Sequence, residues 1–297
     1  YCGSRFVPIL LELGYKVTVY DLFYFGDQLP KNNENLSLIK GDIRDTEKIK
    51  SSCKGHDIFL NLACISNDSS FELDEKLSTS INLDSFEPMV MAAKSAGIKR
   101  FIYASSSSVY GDSKKFPLKE NFRLNPKNIY GLSKKINEEI SDIYNNYYDL
   151  KVTGLRFFTV YGEWGRPDML LFKLLKSSKQ QKNFYLNNKG DHFRDFTYIK
   201  DVIDILYKLI FIKNFKYKIL NICSSNPINI KKIIDEFCKK YKFKKIIYIK
   251  KNKLEVYKTY GSNKLIKQVT KFKKFVSFEL GLKKTISWYL KNNIWKY

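Results

Sequence analysis

Short apolar segments alternate with longer amphipathic ones along the first half of the chain. The apolar segments have the length of strands and occupy residues 16–21, 36–39, 58–62, 101–104 and 152–156. Between them, apolar residues recur three or four positions apart, a spacing that predicts helices burying one face. The clearest series are Leu83, Phe86, Met89, Val90 and Ala93, and Ile136, Ile140, Ile143 and Tyr147. This alternation predicts an α/β fold, with a doubly wound parallel sheet covered by helices on both faces.

The alternation becomes less regular after Gly165. We therefore predict a larger domain over residues 1–165 and a smaller mixed α/β portion over residues 166–297. Some segments of the second portion are expected to return to the first domain.

The chain carries 53 basic and 30 acidic residues, a formal net charge of +23. Such a surplus is typical of proteins that bind nucleic acids or anionic membranes. Only seven of the basic residues are Arg, however, and proteins that read phosphates or bases favour Arg over Lys. We interpret the surplus as a solvated lysine-rich surface that helps to steer an anionic substrate. We predict neither a nucleic-acid partner nor a membrane partner.

The cysteines indicate a reducing compartment. They are odd in number, scattered and never spaced as C-x-x-C: Cys2, Cys53, Cys64, Cys223 and Cys238. No apolar run approaches the roughly 18 residues of a membrane span. These observations predict reduced thiols and a cytoplasmic location. Only two His residues accompany the thiols, so we predict no metal site.

The first residues suggest part of a phosphate-binding turn. Gly3 lies at the start of a predicted helix, where the last glycine of a dinucleotide-binding turn would stand. We expect that the sequence as given lacks the preceding strand and two further glycines of that turn. Asp21 ends the next predicted strand, about 20 residues later, where a carboxylate binds the ribose hydroxyls of the cofactor. Its charge would repel a 2′-phosphate, which favours NAD over NADP.

A tyrosine and a lysine lie four residues apart at Tyr130 and Lys134, on one face of a predicted helix. A free phenol is a poor base at neutral pH, but a neighbouring cation stabilises its phenolate. Tyr and Lys are abundant in this chain, so the pair alone is weak evidence. Upstream, the predicted strand at 101–104 leads into a serine-rich loop at 105–111, at the edge where ligands bind such sheets. Together these features predict an acid–base site.

The ordered motifs resemble the extended short-chain dehydrogenase/reductase family of nucleotide-sugar epimerases and dehydratases. The motifs are Gly3, Asp21, residues 41–45, 61–63, Asn82, 105–111 and 130–134. The resemblance implies that residues 1–165 form an NAD-binding Rossmann domain and residues 166–297 a sugar-nucleotide-binding portion. It also implies NAD as cofactor, a UDP-sugar as substrate and a homodimer.

The resemblance assigns roles to individual positions. Asp42 and Ile43 would hold the adenine, and Ala63 would line the cofactor channel. Ser106, Tyr130 and Lys134 would form the catalytic triad, with Tyr130 as the base. Tyr130 and Lys134 would also contact the cofactor, where Lys134 would hold the nicotinamide ribose. Arg194 would bind the diphosphate of the sugar nucleotide.

The stretch from residue 155 to residue 169 looks like the UDP-glucuronate 4-epimerase branch of this family. In that branch a threonine, here Thr159, and a serine, here Ser108, contact the sugar carboxylate. Ser107, which lies beside Ser108, and Arg166, in the adjoining segment, would also bind the substrate. Residues 64–74 differ from this branch and look closer to other sugar-nucleotide branches.

We therefore expect an NAD-dependent 4-epimerase that converts UDP-glucuronate into UDP-galacturonate through a 4-keto intermediate. The alternatives within the family are a UDP-glucuronate decarboxylase, a UDP-glucose 4-epimerase and a hexose 4,6-dehydratase. A dehydratase needs acidic groups beside the triad hydroxyl, where this chain has Ser107 and Ser108. A non-catalytic NAD-binding regulator is a further alternative, against which the intact set of Ser106, Tyr130 and Lys134 argues.

Overall fold

The computed structural model describes residues 1–213, 215–250 and 254–292. The strands are β1 (Val17–Asp21), β2 (Leu36–Lys40), β3 (Ile58–Asn61), β4 (Arg100–Ser106), β5 (Lys151–Phe157), β6 (Thr159–Tyr161), β7 (Asn183–Asn187), β8 (Phe193–Tyr198), β9 (Ile219–Ile222), β10 (Pro227–Asn229) and β11 (Lys245–Ile249). The α-helices are α1 (Cys2–Glu12), α2 (Thr46–Cys53), α3 (Asp68–Phe71), α4 (Glu75–Thr79), α5 (Phe86–Ser95), α6 (Ile129–Tyr147), α7 (Leu170–Lys179), α8 (Ile199–Ile210), α9 (Ile230–Cys238), α10 (Lys264–Thr270) and α11 (Phe278–Lys291). None of the helices that the structure describes combines the length and the apolar character of a membrane span.

The central sheet has the strand order β3-β4-β5-β9, and all its pairs are parallel. Its longest ladder joins β4 to β5, from Arg100 opposite Lys151 to Ser106 opposite Phe157. The five predicted strands all coincide with observed ones, and the predicted parallel α/β fold is confirmed. Because β9 lies at residues 219–222, a segment far beyond residue 165 completes this sheet. The domain boundary at 165 itself stays a prediction.

Helices cover both faces of the central sheet because successive side chains of a strand point to opposite faces. Phe101, Tyr103 and Val152 belong to one buried cluster, which they share with residues of α2, α5 and α6. Ile102 and Leu155 belong to another, which they share with residues of α1 and α8. The observed arrangement is the predicted doubly wound one.

The remaining strands form smaller sheets. β6, β8 and β10 form one sheet, β7 and β11 form another, and β1 pairs in parallel with β2. One hydrophobic cluster extends from Ile102 in the central sheet to Phe184 and Phe196 in these smaller sheets, so the two parts pack against each other. In the described ranges, no hydrogen-bonded ladder joins β1 to β3. Residues of both strands instead line a large cavity.

Candidate active site

A cavity of about 1700 Å³ extends between β1 and β3 and reaches the carboxyl ends of the central strands. Part of its volume therefore lies between these two strands rather than in the predicted ligand crevice. Nearly all of the predicted site residues line it: Gly3, Asp21, Asp42, Ile43, Ala63, Ser106, Ser107, Ser108, Tyr130, Thr159, Arg166 and Arg194. Lys134 lies behind this wall, 4% exposed, with its Nζ 6.0 Å from the centre of the Tyr130 ring.

The N-terminus of α6 places Tyr130 against the serine loop. The side chain of Asn128 caps the helix by accepting the N–H of Gly131 at 2.8 Å. A Cβ at position 131 would lie 2.8 Å from the carbonyl oxygen of Ser108, a distance that real Cβ atoms essentially never show. Glycine is therefore needed for the close approach that brings Tyr130 beside the end of β4.

The phenol of Tyr130 is buried, with 6% of the residue exposed. Burial raises its pKa above the ordinary value, because the phenolate loses hydration there. The hydroxyl of Ser106 and the backbone N–H of Asn67, which approach the phenol oxygen, act in the opposite direction. The Ser106 oxygen also accepts the N–H of Ser108 at 3.1 Å and so fixes the serine loop. The structure thus brings the three predicted catalytic residues together, and their roles stay a prediction.

Several groups on the cofactor side fit a dinucleotide. Asp21 is exposed at the end of β1, and its Oδ1 accepts the N–H of Phe23 at 2.7 Å. Asp42 forms a two-bond pair with Arg44, at 2.9 and 2.6 Å. Lys134 forms no ion pair with a described carboxylate, and its contact with the nicotinamide ribose stays a prediction. These residues could hold the adenosine and the nicotinamide ribose of NAD.

Asp21→Ala is expected to weaken NAD binding by roughly 10-fold, because a hydrogen bond to a charged group contributes about 1.5–3 kcal/mol. NADP should lose nothing, since the variant also removes the charge that repels its 2′-phosphate. Dissociation constants for both cofactors measure the change. Asp27→Ala is the control, because Asp27 makes the same local hydrogen bond, to the N–H of Leu29. Equal losses for NAD and NADP would exclude ribose recognition by Asp21.

Ion pairs occupy both predicted arginines on the substrate side. Arg166 donates to Asp168 from Nε at 2.9 Å and from Nη2 at 2.7 Å. Arg194 donates from Nη2 to Glu255 at 2.8 Å. The cavity wall is therefore less cationic here than the two arginines alone would suggest. A diphosphate at Arg194 would have to share that guanidinium with Glu255.

A buried ion pair behind the serine loop was not predicted from the sequence. Glu138 of α6 accepts Arg156 Nε at 2.9 Å and Nη2 at 2.7 Å, and also the hydroxyl of Ser105 at 2.6 Å. The two charged side chains are 6% and 4% exposed. This network joins α6, β4 and β5, the elements that carry the predicted catalytic residues. Glu138 lies four residues after Lys134 and therefore on the same face of α6. This spacing was the sequence signal that could have placed Glu138 near the site.

Asp68 is a second residue that sequence reasoning missed. It lines the cavity, and burial raises its pKa to about 6. Its Oδ1 is buried and has no hydrogen-bond partner among the described residues. Its position in a run that departs from the glucuronate branch was the available signal.

Comparisons with known proteins identify relatives of this chain. The NAD dependent epimerase/dehydratase family matches residues 1–223. An uncharacterized protein of Methanocaldococcus jannaschii is 33% identical over 282 residues, 91% of this chain and 83% of that protein. UDP-glucuronate 4-epimerase 5 of Arabidopsis thaliana is 35% identical over 229 residues, 70% of this chain. The chain covers only 52% of that plant protein.

A solved structure shares the whole fold. UDP-glucuronic acid 4-epimerase from Bacillus cereus, in complex with UDP-glucuronic acid and NAD, matches with a TM-score of 0.90 at 26% identity. The match covers 98% of this chain and 96% of that one. The similarity therefore extends over both the central sheet and the smaller sheets.

Proposed function

Because the chain belongs to the NAD dependent epimerase/dehydratase family, as its ordered motifs predict, we propose that it is a 4-epimerase of a UDP-sugar. NAD is the cofactor of this family. We further propose UDP-glucuronate as the substrate and UDP-galacturonate as the product. The observation that carries the proposal is the position of Ser106 and Tyr130 at the wall of one cavity, with Lys134 behind the Tyr130 ring.

Tyr130 takes the proton of the sugar's 4-hydroxyl and later returns it. Burial favours the protonated phenol, so ionisation depends on nearby positive charge, which Lys134 supplies 6.0 Å from the ring centre. The hydroxyl of Ser106 orients the reacting oxygen. Bound NAD would supply reversible hydride transfer at C4, so that the sugar could be oxidised and reduced again without a second substrate. The 4-keto sugar turns over inside the cavity between the two steps.

Glucuronate adds a requirement to this reaction. Its 4-keto form is a β-keto acid, which readily loses carbon dioxide, so the enzyme must hold the carboxylate out of the decarboxylating alignment. Ser108 and Thr159 both line the cavity and offer hydroxyl donors for this purpose. The named activities of the plant and bacterial relatives support the same substrate.

A UDP-glucose 4-epimerase is the second candidate, and the pairing of Arg166 favours it. Since Asp168 occupies two donors of that guanidinium, the pair carries no net charge toward a sugar carboxylate. The buried carboxyl of Asp68 in the same cavity also suits a hydroxyl donor better than a second carboxylate.

Incubation with each UDP-sugar separates the candidates. We expect proton NMR to show UDP-galacturonate formed from UDP-glucuronate in the presence of NAD. A UDP-pentose product would indicate the decarboxylase instead. Conversion of UDP-glucose with none of UDP-glucuronate would support the second candidate, and no reaction with any UDP-sugar would overturn the proposal.

Thr159→Val is expected to lower kcat/KM for UDP-glucuronate by about 10-fold or more, because it removes a hydrogen bond to a charged group and nearly keeps the side-chain shape. UDP-glucose, being neutral, should be little affected and is the internal control. A less firmly held carboxylate should also allow some pentose to form, which the same NMR assay detects. Equal losses for both sugars without pentose would make Thr159 a packing residue.

A further inference from the structure

The carboxylate of Asp168 joins two segments that are about one hundred residues apart in sequence. It accepts the Nδ2 of Asn67 at 2.6 Å and, more weakly, the hydroxyl of Ser70 at 3.4 Å. From its own segment it accepts two bonds from Arg166. Arg166 then donates to the carbonyl of Ser66 at 3.0 Å. We call Asn67, Ser70, Arg166 and Asp168 the Asp168 cluster.

The cluster holds Asn67 in a backbone conformation that is rare for a residue with a side chain. Asn67 has φ +81° and ψ 158°, a region populated almost entirely by glycine, and a residue held there is strained. Such a conformation persists only when surrounding contacts fix it. Here the side chain of Asn67 supplies two such contacts, since its Oδ1 accepts the N–H of Ser70 at 2.8 Å and its Nδ2 donates to Asp168.

The strained turn lies directly beside Tyr130. The ring of Phe71, which follows the turn, lies 6.3 Å from the Tyr130 ring. Asn67 and Tyr130 line the same cavity. The backbone N–H of Asn67 lies close enough to the phenol to lower its pKa, against the effect of burial. A rotation of this turn would therefore change the surroundings of the phenol.

The ion pair between Arg166 and Asp168 also stabilises the Asp168 cluster. Burial is the largest single effect on the pKa of Asp168 and raises it, but the hydrogen bonds and the charge of Arg166, together with the hydrogen bond from Asn67, hold that pKa below the ordinary value. The carboxylate is therefore ionised at neutral pH and faces a guanidinium that stays charged. Loss of either charge would leave its partner half-buried and uncompensated.

We propose that Asp168 and Asn67 are positioning residues for the base, in that their hydrogen bond holds the strained turn at 66–70 beside the Tyr130 phenol. This inference rests on the proposed epimerase function. It assigns Arg166 to the balance of the cluster rather than to direct capture of a sugar carboxylate. The carboxylate of Asp168 thereby connects Arg166, on the substrate side of the cavity, with the turn beside the Tyr130 base.

An exchange of the two side chains tests the proposal. Asn67→Asp alone would place two carboxylates at the distance of the present hydrogen bond, and Asp168→Asn alone would remove the charge that balances Arg166. The double variant Asn67→Asp/Asp168→Asn restores an amide–carboxylate bond with its partners reversed. We expect each single variant to lower kcat by about 10-fold, with a smaller change in KM and in NAD affinity, and the double variant to recover most of the loss.

The control is Asp204→Ala, which breaks the exposed Lys200–Asp204 pair, neither residue of which lines the cavity, and should leave kcat unchanged. The proposal would be overturned if the kcat of the double variant fell by the product of the two single-variant factors. Effects confined to KM would also overturn it, because they would indicate a substrate contact rather than positioning of the base.

Hydrogen exchange of the backbone amides at 66–71, measured without substrate, distinguishes this inference from the proposed function. We expect faster exchange in both single variants and recovery in the double variant, because the amide of Ser70 is bonded to Asn67. Unchanged exchange in the single variants would overturn the inference even if the parent is an active epimerase. A parent inactive on every UDP-sugar would overturn the proposed function, whatever the exchange shows.

Discussion

Tyr130→Phe is expected to lower kcat by about 10²–10⁴-fold, the contribution typical of a positioned general acid–base group. The variant removes one oxygen from a side chain that is 6% exposed and keeps the ring against Phe71. The affinities for NAD and for the UDP-sugar should therefore change little. Steady-state kinetics with calorimetric binding of each ligand separates the two effects.

Tyr147→Phe is the matched control, since Tyr147 ends the same helix but is 76% exposed. It should retain full activity. A Tyr130→Phe enzyme within a few-fold of the parent would remove Tyr130 from the mechanism. A loss of activity that follows a loss of NAD affinity would instead make Tyr130 a cofactor-binding residue.

Glu138→Ala is expected to lower the free energy of unfolding by about 3–5 kcal/mol, because it leaves the buried guanidinium of Arg156 without its charge partner. The variant also leaves the hydroxyl of Ser105 without its acceptor. Urea denaturation followed by circular dichroism measures the change. Because α6 is bonded through Glu138 to β4 and β5, we expect activity to fall along with stability.

The neighbouring residue provides the control for this prediction. Glu139 forms an ion pair with Lys135 at 3.6 Å, and its side chain is 65% exposed. Solvent and salt screen such a pair, so Glu139→Ala should change stability by about 1 kcal/mol or less. Similar losses for the two variants would show that the charge partner of Arg156 contributes little, and that helix propensity or another shared effect dominates.

The sequence by itself determined the parallel sheet and its helices. Short apolar runs predict the strands, and apolar residues three or four positions apart predict the helices. Both patterns are local properties of the chain. The order of motifs also predicted a shared site for Ser106 and Tyr130, and both residues line the cavity. A strand end and the first turn of a following helix meet at the same edge of a parallel sheet, whatever the loops between them do.

Only the tertiary structure decided the partners of charged groups that lie far apart in sequence. The partners of Asp168, Arg194 and Arg156 include Asn67, Glu255 and Glu138, which lie 101, 61 and 18 residues away in sequence. With 53 basic and 30 acidic residues in the chain, composition and spacing favour no particular pair. The energy of a charge also depends on burial and on the distance to its partner. Both quantities arise when strands and loops from distant parts of the chain come together, so the sequence could propose arginines for the site but could not show that carboxylates already hold them.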